Sequence, residues 1–335
     1  MEKLLNVSSS PHAYKQHSVG TIMKDVIIAL IPALLVGTYL FGLRALLLTI
    51  VCVVSCVAFE AIWQTFTHQS LTIKDLSAVV TGLLLAFNLP ATAPVYVPIV
   101  GAFVAIVLAK QCFGGVGQNF INPALAARAF LLAAYPQAMT SFEVPEHFIG
   151  QVNQVTTGVV GAVTAVDAVG GATPLVALKT GNMFAMPTLL DAFLGNIGGC
   201  LGEVSALAIL LGGLYLIYKK VITWHIPVCY LGTLFLMTLI FGGHGVQASF
   251  TSLFLGGAML GAFFMATDYT TNPMTIRGQI IFAVCAGVIA AVIRLFGGYP
   301  EGVSYSILIM NLAVPLIDKF VKPVRFGGGK SCKSH

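Results

Sequence analysis

"VIIALIPALLVGTYLFGLRALLLTIVCVVSCVAFEAIW", residues 26–63, is two apolar runs, 26–43 and 45–63, that meet around Arg44. Glu60 is the one acidic residue in the stretch. A bilayer hydrocarbon core about 30 Å thick takes roughly 20 apolar residues of helix. Lipid offers no hydrogen-bond partner to a bare backbone, so a spanning segment is a helix or part of a closed barrel. Barrel strands alternate lipid-facing and lumen-facing residues at period two, and these runs do not. The stretch therefore reads as two membrane helices in tandem.

The same reading extends along the chain to 94–109, 201–218, 222–241, 251–267, 278–296 and 301–317, with 76–88 and 123–134 shorter than a full span. Charged residues make up 9% of the 335, hydrophobic ones 57%, and mean hydropathy is +0.92. No ordinary soluble domain has that balance. The expectation is an all-α polytopic membrane protein of about ten transmembrane helices.

Charge sets the orientation. With both termini cytoplasmic, thirteen basic residues fall inside: Lys3, Lys15, Lys24, Lys74, Lys110, Lys219, Lys220, Arg277, Lys319, Lys322, Arg325, Lys330 and Lys333. Three fall outside (Arg44, Lys179 and Arg294), and Arg128 lies within a helix. An excess of that size on one side is the positive-inside signature. The net charge of +5 thus reads as membrane orientation and not as nucleic-acid binding. The polar N-terminal segment lacks the layout of a cleavable signal, so the first run is expected to be retained. The seven cysteines include no C-x-x-C pattern, which argues against a metal or iron–sulfur site held by this chain.

Five helices, a long loop and five more helices divide the chain. The expected units are a cytoplasmic tail 1–25, a first membrane repeat 26–134, an external loop 135–200, a second repeat 201–318 and a cytoplasmic tail 319–335. "GAFVAIVLAKQCFGG" (101–115) is answered by "FAVCAGVIAAVIRLFGG" (282–298), and "GLLLAFNLPATAP" (82–94) by "GAFFMATDYTTNP" (261–273). An odd number of helices per copy makes the repeat inverted, an arrangement in which broken helices meet near the midplane.

Within the external loop, "DAVGGATPLVALKTG" (167–181) stands out as a run of small residues around an isolated threonine. A residue before proline is pushed out of helical geometry, so Pro174 holds Thr173 extended. Gly170, Gly171 and Ala172 leave no bulky neighbour in front of it. An isolated A-T-P in a polar loop would carry no message by itself.

Five stretches give it one. "SPHAYKQHSVGTIMKDVIIALIPAL" (10–34), "FGGVGQNFINPALAARAF" (113–130), "GGCLGEVSALAILLGG" (198–213), "GGAMLGAFFMATD" (256–268) and "PEGVSYSILIMNLAVPLID" (300–318) set glycines, prolines and lone polar residues into apolar surroundings. In this the chain resembles, over nearly its whole length, the D subunit of Rnf complexes and its homologue, the B subunit of Na⁺-translocating NADH:quinone reductase. The short N-terminal segment is more similar to the former.

The resemblance implies a flavin-carrying subunit of a redox-driven, ion-translocating oxidoreductase in a bacterial inner membrane. It implies FMN joined by a phosphoester to Thr173, within a motif formed by Asp167, Gly171, Ala172 and Thr173; Gly170 departs from the hydroxyl residue usual there. It further implies Na⁺ or H⁺ as coupled ion and a second, non-covalent riboflavin-like flavin. The implied partners are a flavin subunit, iron–sulfur subunits, small membrane subunits and a flavin transferase. No G-x-G-x-x-G follows a strand, so dinucleotide chemistry belongs to a partner. The rival reading is a urea-channel-like transporter for a small polar solute, which accounts for broken helices but not for the threonine loop.

Ionisable residues within membranes are costly and so are candidates for function. Glu203, Asp268 and Arg128 are the ion-path candidates, set against plainer roles. Glu203 would cap a helix start, Asp268 would form a turn, and Arg128 requires a carboxylate or a phosphate. Asn88, Asn119 and Asn122 either meet a flavin ring or tie helix breaks together.

Overall fold

The computed structural model describes residues 19–142, 175, 187–195, 197–203, 205–243, 245–297 and 302–322. Among these there is no strand, only an isolated antiparallel bridge between Pro90 and Cys200.

Helix α1 (Val19–Phe41) begins seven residues before the expected start at 26, so the polar tail is shorter than composition suggests. The chain turns at Gly42, whose φ of 73° lies in the left-handed region, and α2 (Leu43–Phe66) follows at once. Thr67 ends α2, with its amide and hydroxyl both bonded to the Trp63 carbonyl. Next come α3 (Ser77–Phe87) and α4 (Tyr96–Phe103), the latter running on through a π turn at Val104–Leu108. Asn122 accepts from the amides of Ala124 and Leu125 and so starts α5 (Pro123–Ala134) with proline at the first position. Two short helices, α6 (Pro136–Thr140) and α7 (Leu189–Leu194), lie within the 135–200 segment. The second half holds α8 (Ala206–Tyr218), α9 (His225–Gly242), α10 (Gly245–Thr251), α11 (Ala258–Leu260, continued by a π turn at Gly261–Met265), α12 (Ile276–Phe296) and α13 (Val303–Phe320).

Six helical segments among the described residues are long and apolar enough to cross a membrane: α1, α2, α4 with its extension to Phe113, α9, α12 and α13. A seventh span is reached only when the pair Gly245–Phe254 and Ala258–Met265, bent by 62°, counts as one. Of the ten helices expected, these six or seven reach full span length among the described residues. At 1.5 Å per residue, α3, α5 and α8 rise only about 16–20 Å, well short of the hydrocarbon core.

Two predicted spans are interrupted for visible reasons. The run 201–218 becomes helical only at Ala206, because 201–203 form a turn tied to the end of α3. The Leu201 amide donates to the Leu89 carbonyl and that of Gly202 to Phe87, both at 3.0 Å. The run 251–267 breaks at Leu255–Gly257, where Gly256 and Gly257 both have positive φ (62° and 68°).

Helix α2 packs on α3 and α4, α9 on α12, and α12 on α13; α1 joins the halves by packing on α8. Small residues make these approaches close, as membrane helix contacts require. A β-carbon at Gly212 would land on the Ala29 carbonyl oxygen, and one at Gly213 on the Phe263 ring. Leu35, Leu47, Val54, Ile62, Leu236 and Ile240 stay exposed, as lipid-facing side chains do.

Candidate functional site

Two buried ion pairs and one helix break carry most of the polar chemistry among the described residues. The first pair joins the halves. Arg128, on α5, donates from Nη1 to Glu203 Oε1 at 2.8 Å and to Asn88 Oδ1 at 2.5 Å, and Nη2 lies 3.7 Å from the Cys200 sulfur. Glu203 reaches it because the bridge Pro90–Cys200 holds 200–203 against the end of α3. Asn88 sits at the end of α3 and gives its own amide to the Leu84 carbonyl. Sequence reasoning requires a carboxylate or a phosphate for Arg128, and the structure supplies the carboxylate. Glu203 does not cap α8, since Ser205 does that through the Ala208 amide.

The break in the seventh span is satisfied by opposite charges at its two ends. Arg294, on α12, donates to the carbonyls of Ser252 (2.7 Å), Leu255 (2.8 Å) and Gly256 (3.3 Å), where the first half-helix ends. On the other side the Glu203 carboxylate lies against Gly257, the residue that opens α11. Carboxylates are favoured at helix N-termini and cations at C-termini, and irregular backbone at membrane depth must find such partners. Arg294 is thus a buried residue that binds backbone carbonyls and not a free loop charge. Leu175 is packed here as well, with Ala192, Ile197 and Leu255.

The second pair lies in the first half. Lys110 Nζ is 2.7 Å from Glu60 Oε1 and 2.8 Å from Ser77 Oγ, and Gln111 Nε2 donates to the same Glu60 oxygen at 2.8 Å. Lys110 and Glu60 are 3% and 1% exposed, so Lys110 too is not the free loop lysine that the charge count implies. Sequence reading misses this pair because the partners are fifty residues apart. The available signal is that each charge interrupts an apolar run.

Lys110 and Ser77 also line a cavity where α1, α3, α5, α8 and the π turn after α11 converge. The cavity measures about 100 Å³ and is partly open to its surroundings. Val26, Leu84, Leu216 and Phe263 are among its apolar walls. Its polar rim includes Thr81, Asn119, Asp268 and Thr270. Asp268, the third ion-path candidate, stands here and not with Arg128 and Glu203; it accepts from the Thr270 hydroxyl at 3.1 Å. Burial pushes its carboxyl above the usual range, against the pull of the Thr270 hydroxyl and amide. Asn119 bonds Thr270 across the halves at 3.0 Å, and Asn122 donates to the Met265 carbonyl at 3.3 Å. All three asparagines tie helix ends together, the plainer of the two roles considered for them.

Thr173, Asp167, Gly171 and Ala172 lie outside the described residues. Among the described residues no group of three or more His, Cys, Asp or Glu is placed to hold a metal ion.

Comparison with known proteins bears on this arrangement directly. Residues 6–327 match the model of the NQR2, RnfD, RnfE family. The chain is 53% identical to the D subunit of the Na⁺-translocating ferredoxin:NAD⁺ oxidoreductase complex of Acetobacterium woodii, over 96% of this chain and 95% of that one. It is 43% identical to the D subunit of the proton-translocating ferredoxin:NAD⁺ oxidoreductase complex of Clostridium ljungdahlii, over 97% of each. The D subunit of the ion-translocating oxidoreductase complex of Aliivibrio salmonicida is 37% identical, over 97% of this chain and 99% of that one.

Proposed function

The chain belongs to the NQR2, RnfD, RnfE family, and from that premise we propose that it is the flavin-carrying membrane subunit of an Rnf-type, redox-driven ion-translocating complex. The observation that carries the proposal is the match over 6–327 together with the matching residues Asp167, Gly171, Ala172 and Thr173 within it. Thr173 is the acceptor of a phosphoester-linked FMN. When bound, that cofactor passes electrons singly or in pairs, while the protein fixes its position and potential. The chain is not catalytically complete alone. Its partners are a further flavin subunit, iron–sulfur subunits and small membrane subunits, with a flavin transferase acting during maturation.

The chain sits in the bacterial inner membrane with both termini cytoplasmic and the Thr173 loop external. The distribution of lysine and arginine supports this orientation. Two inverted five-helix repeats underlie the bundle. Their support is the shared order of packing: α2 on α4 in the first half, α9 on α12 in the second, and α1 on α8 between them. The ion is Na⁺ or H⁺, and relatives named for each stand at similar coverage. Arg128, Glu203 and Asp268 border its path.

A second, non-covalent riboflavin-like flavin belongs in the cavity lined by Lys110. Its mixed walls suit a flat ring with one apolar and one heteroatom-bearing edge. Phe263 and Leu84 would face the hydrocarbon part, and Ser77, Thr81 and Lys110 the polar edge.

In-gel ultraviolet fluorescence of the denatured chain, co-expressed with its transferase, tests the covalent assignment. A fluorescent band is expected in wild type and none in Thr173→Ala. A fluorescent Thr173→Ala band would refute the acceptor, and a dark wild-type band would refute covalent flavin altogether. The channel reading has no support comparable to the family match.

A further inference from the structure

We propose that Lys110 is a positioning residue for the cavity flavin, its ammonium held at the wall to favour the reduced, negatively charged ring, with Glu60 as the counter-charge that restrains it. The proposal rests on the reading that a non-covalent flavin occupies this cavity.

The geometry is asymmetric. Lys110 and Ser77 line the cavity, whereas Glu60 lies behind the wall. An ammonium has three N–H donors, and two are given to Glu60 and Ser77. The third is left for a group in the cavity. Glu60 also holds Gln111 at 2.8 Å, so its carboxylate keeps a donor when Lys110 leans away. Such a buried pair would be poorly explained as a stabilising device, because desolvation offsets most of its attraction. Its place at the wall gives it a use.

Among the residues lining the cavity only Lys110 and Asp268 carry charge. They come from different halves of the chain, the lysine from the segment after α4 and the carboxylate from the segment after α11. A ring that has taken two electrons and one proton carries one negative charge, and that edge is drawn to Lys110 and repelled by Asp268.

The test is a spectroelectrochemical titration of the purified complex with dithionite, following the flavin that acid precipitation releases. An opposite charge nearby shifts an ionisation equilibrium by about one to three decades. At the wild-type midpoint, Lys110→Gln is expected to lower the ratio of reduced to oxidised cavity flavin by about tenfold or more. Glu60→Gln, which removes the restraint, is expected to raise it, and Lys110→Arg to stay close to wild type. Loss of packing alone would move both glutamine variants in the same direction.

The double variant Glu60→Gln/Lys110→Gln leaves no unpaired buried charge, so it keeps the test open if a single variant fails to assemble. Its ratio is expected below wild type. An unchanged ratio in Lys110→Gln or in the double variant, or a fall in Glu60→Gln, would overturn the role of Lys110 while leaving the flavin in place. A wild-type complex that releases no flavin overturns the cavity reading itself, and the proposal with it.

Discussion

Replacing Glu203 by Gln should destabilise the folded chain more than almost any other single-atom change. Arg128 is buried and has Glu203 at 2.8 Å and Asn88 at 2.5 Å as oxygen partners. Removing one member of a buried ion pair typically costs about 3–5 kcal/mol, since the other charge is left in low dielectric. The lower end applies here, because the amide still accepts a hydrogen bond and an unfolded chain in detergent finds polar partners of its own. The expected loss is thus about 3 kcal/mol, roughly a hundredfold in the folding equilibrium. Arg128→Met should cost a similar amount, leaving Glu203 beside Gly257 without its ion pair to Arg128.

The double variant decides the reasoning. With both charges gone, neither is stranded, and the combined loss should be near that of one single variant. The double-mutant cycle would then give a coupling of about 2–3 kcal/mol, within the range found for contacting residues. Reversible unfolding in mixed micelles, followed by tryptophan fluorescence, measures all three. Additive losses, or a Glu203→Gln cost below about 0.5 kcal/mol, the ordinary level of surface changes, would refute the view that this pair locks the halves together.

Three further outcomes follow from the packing. Gly212→Val should lower the melting temperature sharply and loosen α1 from α8, an overpacking cost of about 1–3 kcal/mol or more, while Gly232→Ala, which meets no neighbouring atom within 4 Å, should leave it unchanged. In a Cys229→Ser/Cys285→Ser/Cys332→Ser background, an impermeant maleimide should label exposed Cys112 only from the cytoplasmic face, and buried Cys52, Cys56 and Cys200 from neither; labelling of Cys112 from outside would reverse the orientation. Gly257→Ala should misassemble, because φ is +68° and the Glu203 carboxylate fills the space of the new methyl, and thermal melts against Gly232→Ala would show it.

Much of the molecule is legible in the order of its residues. The apolar runs at 26–43 and 45–63 form α1 and α2 with modest shifts at their ends, since hydrocarbon length fixes helix length. The marginal runs 76–88 and 123–134 form the short helices α3 and α5. The isolated charges stand out as anomalies, and the need of Arg128 for an anion is plain from its apolar surroundings.

Hydropathy, however, carries no backbone geometry. Residues 201–203 and 255–257 lie within apolar runs that composition alone reads as unbroken spans. They leave the helix because another segment receives their backbone groups. The end of α3 takes the first, and Arg294 takes the second. The glycines at the break are written in sequence, but the cation that meets its carbonyls, about forty residues away, is not.

The solvent this chain folds in, its helical class, its family and its threonine run can all be read without a fold, because each depends on local composition or contiguous pattern. Which charge faces which is a property of the folded bundle alone. Arg128 with Glu203, Lys110 with Glu60 and Arg294 with an open helix end are separated by 75, 50 and about 40 residues. A buried charge must be matched wherever the fold brings a partner, and helix packing, not sequence distance, sets that meeting place.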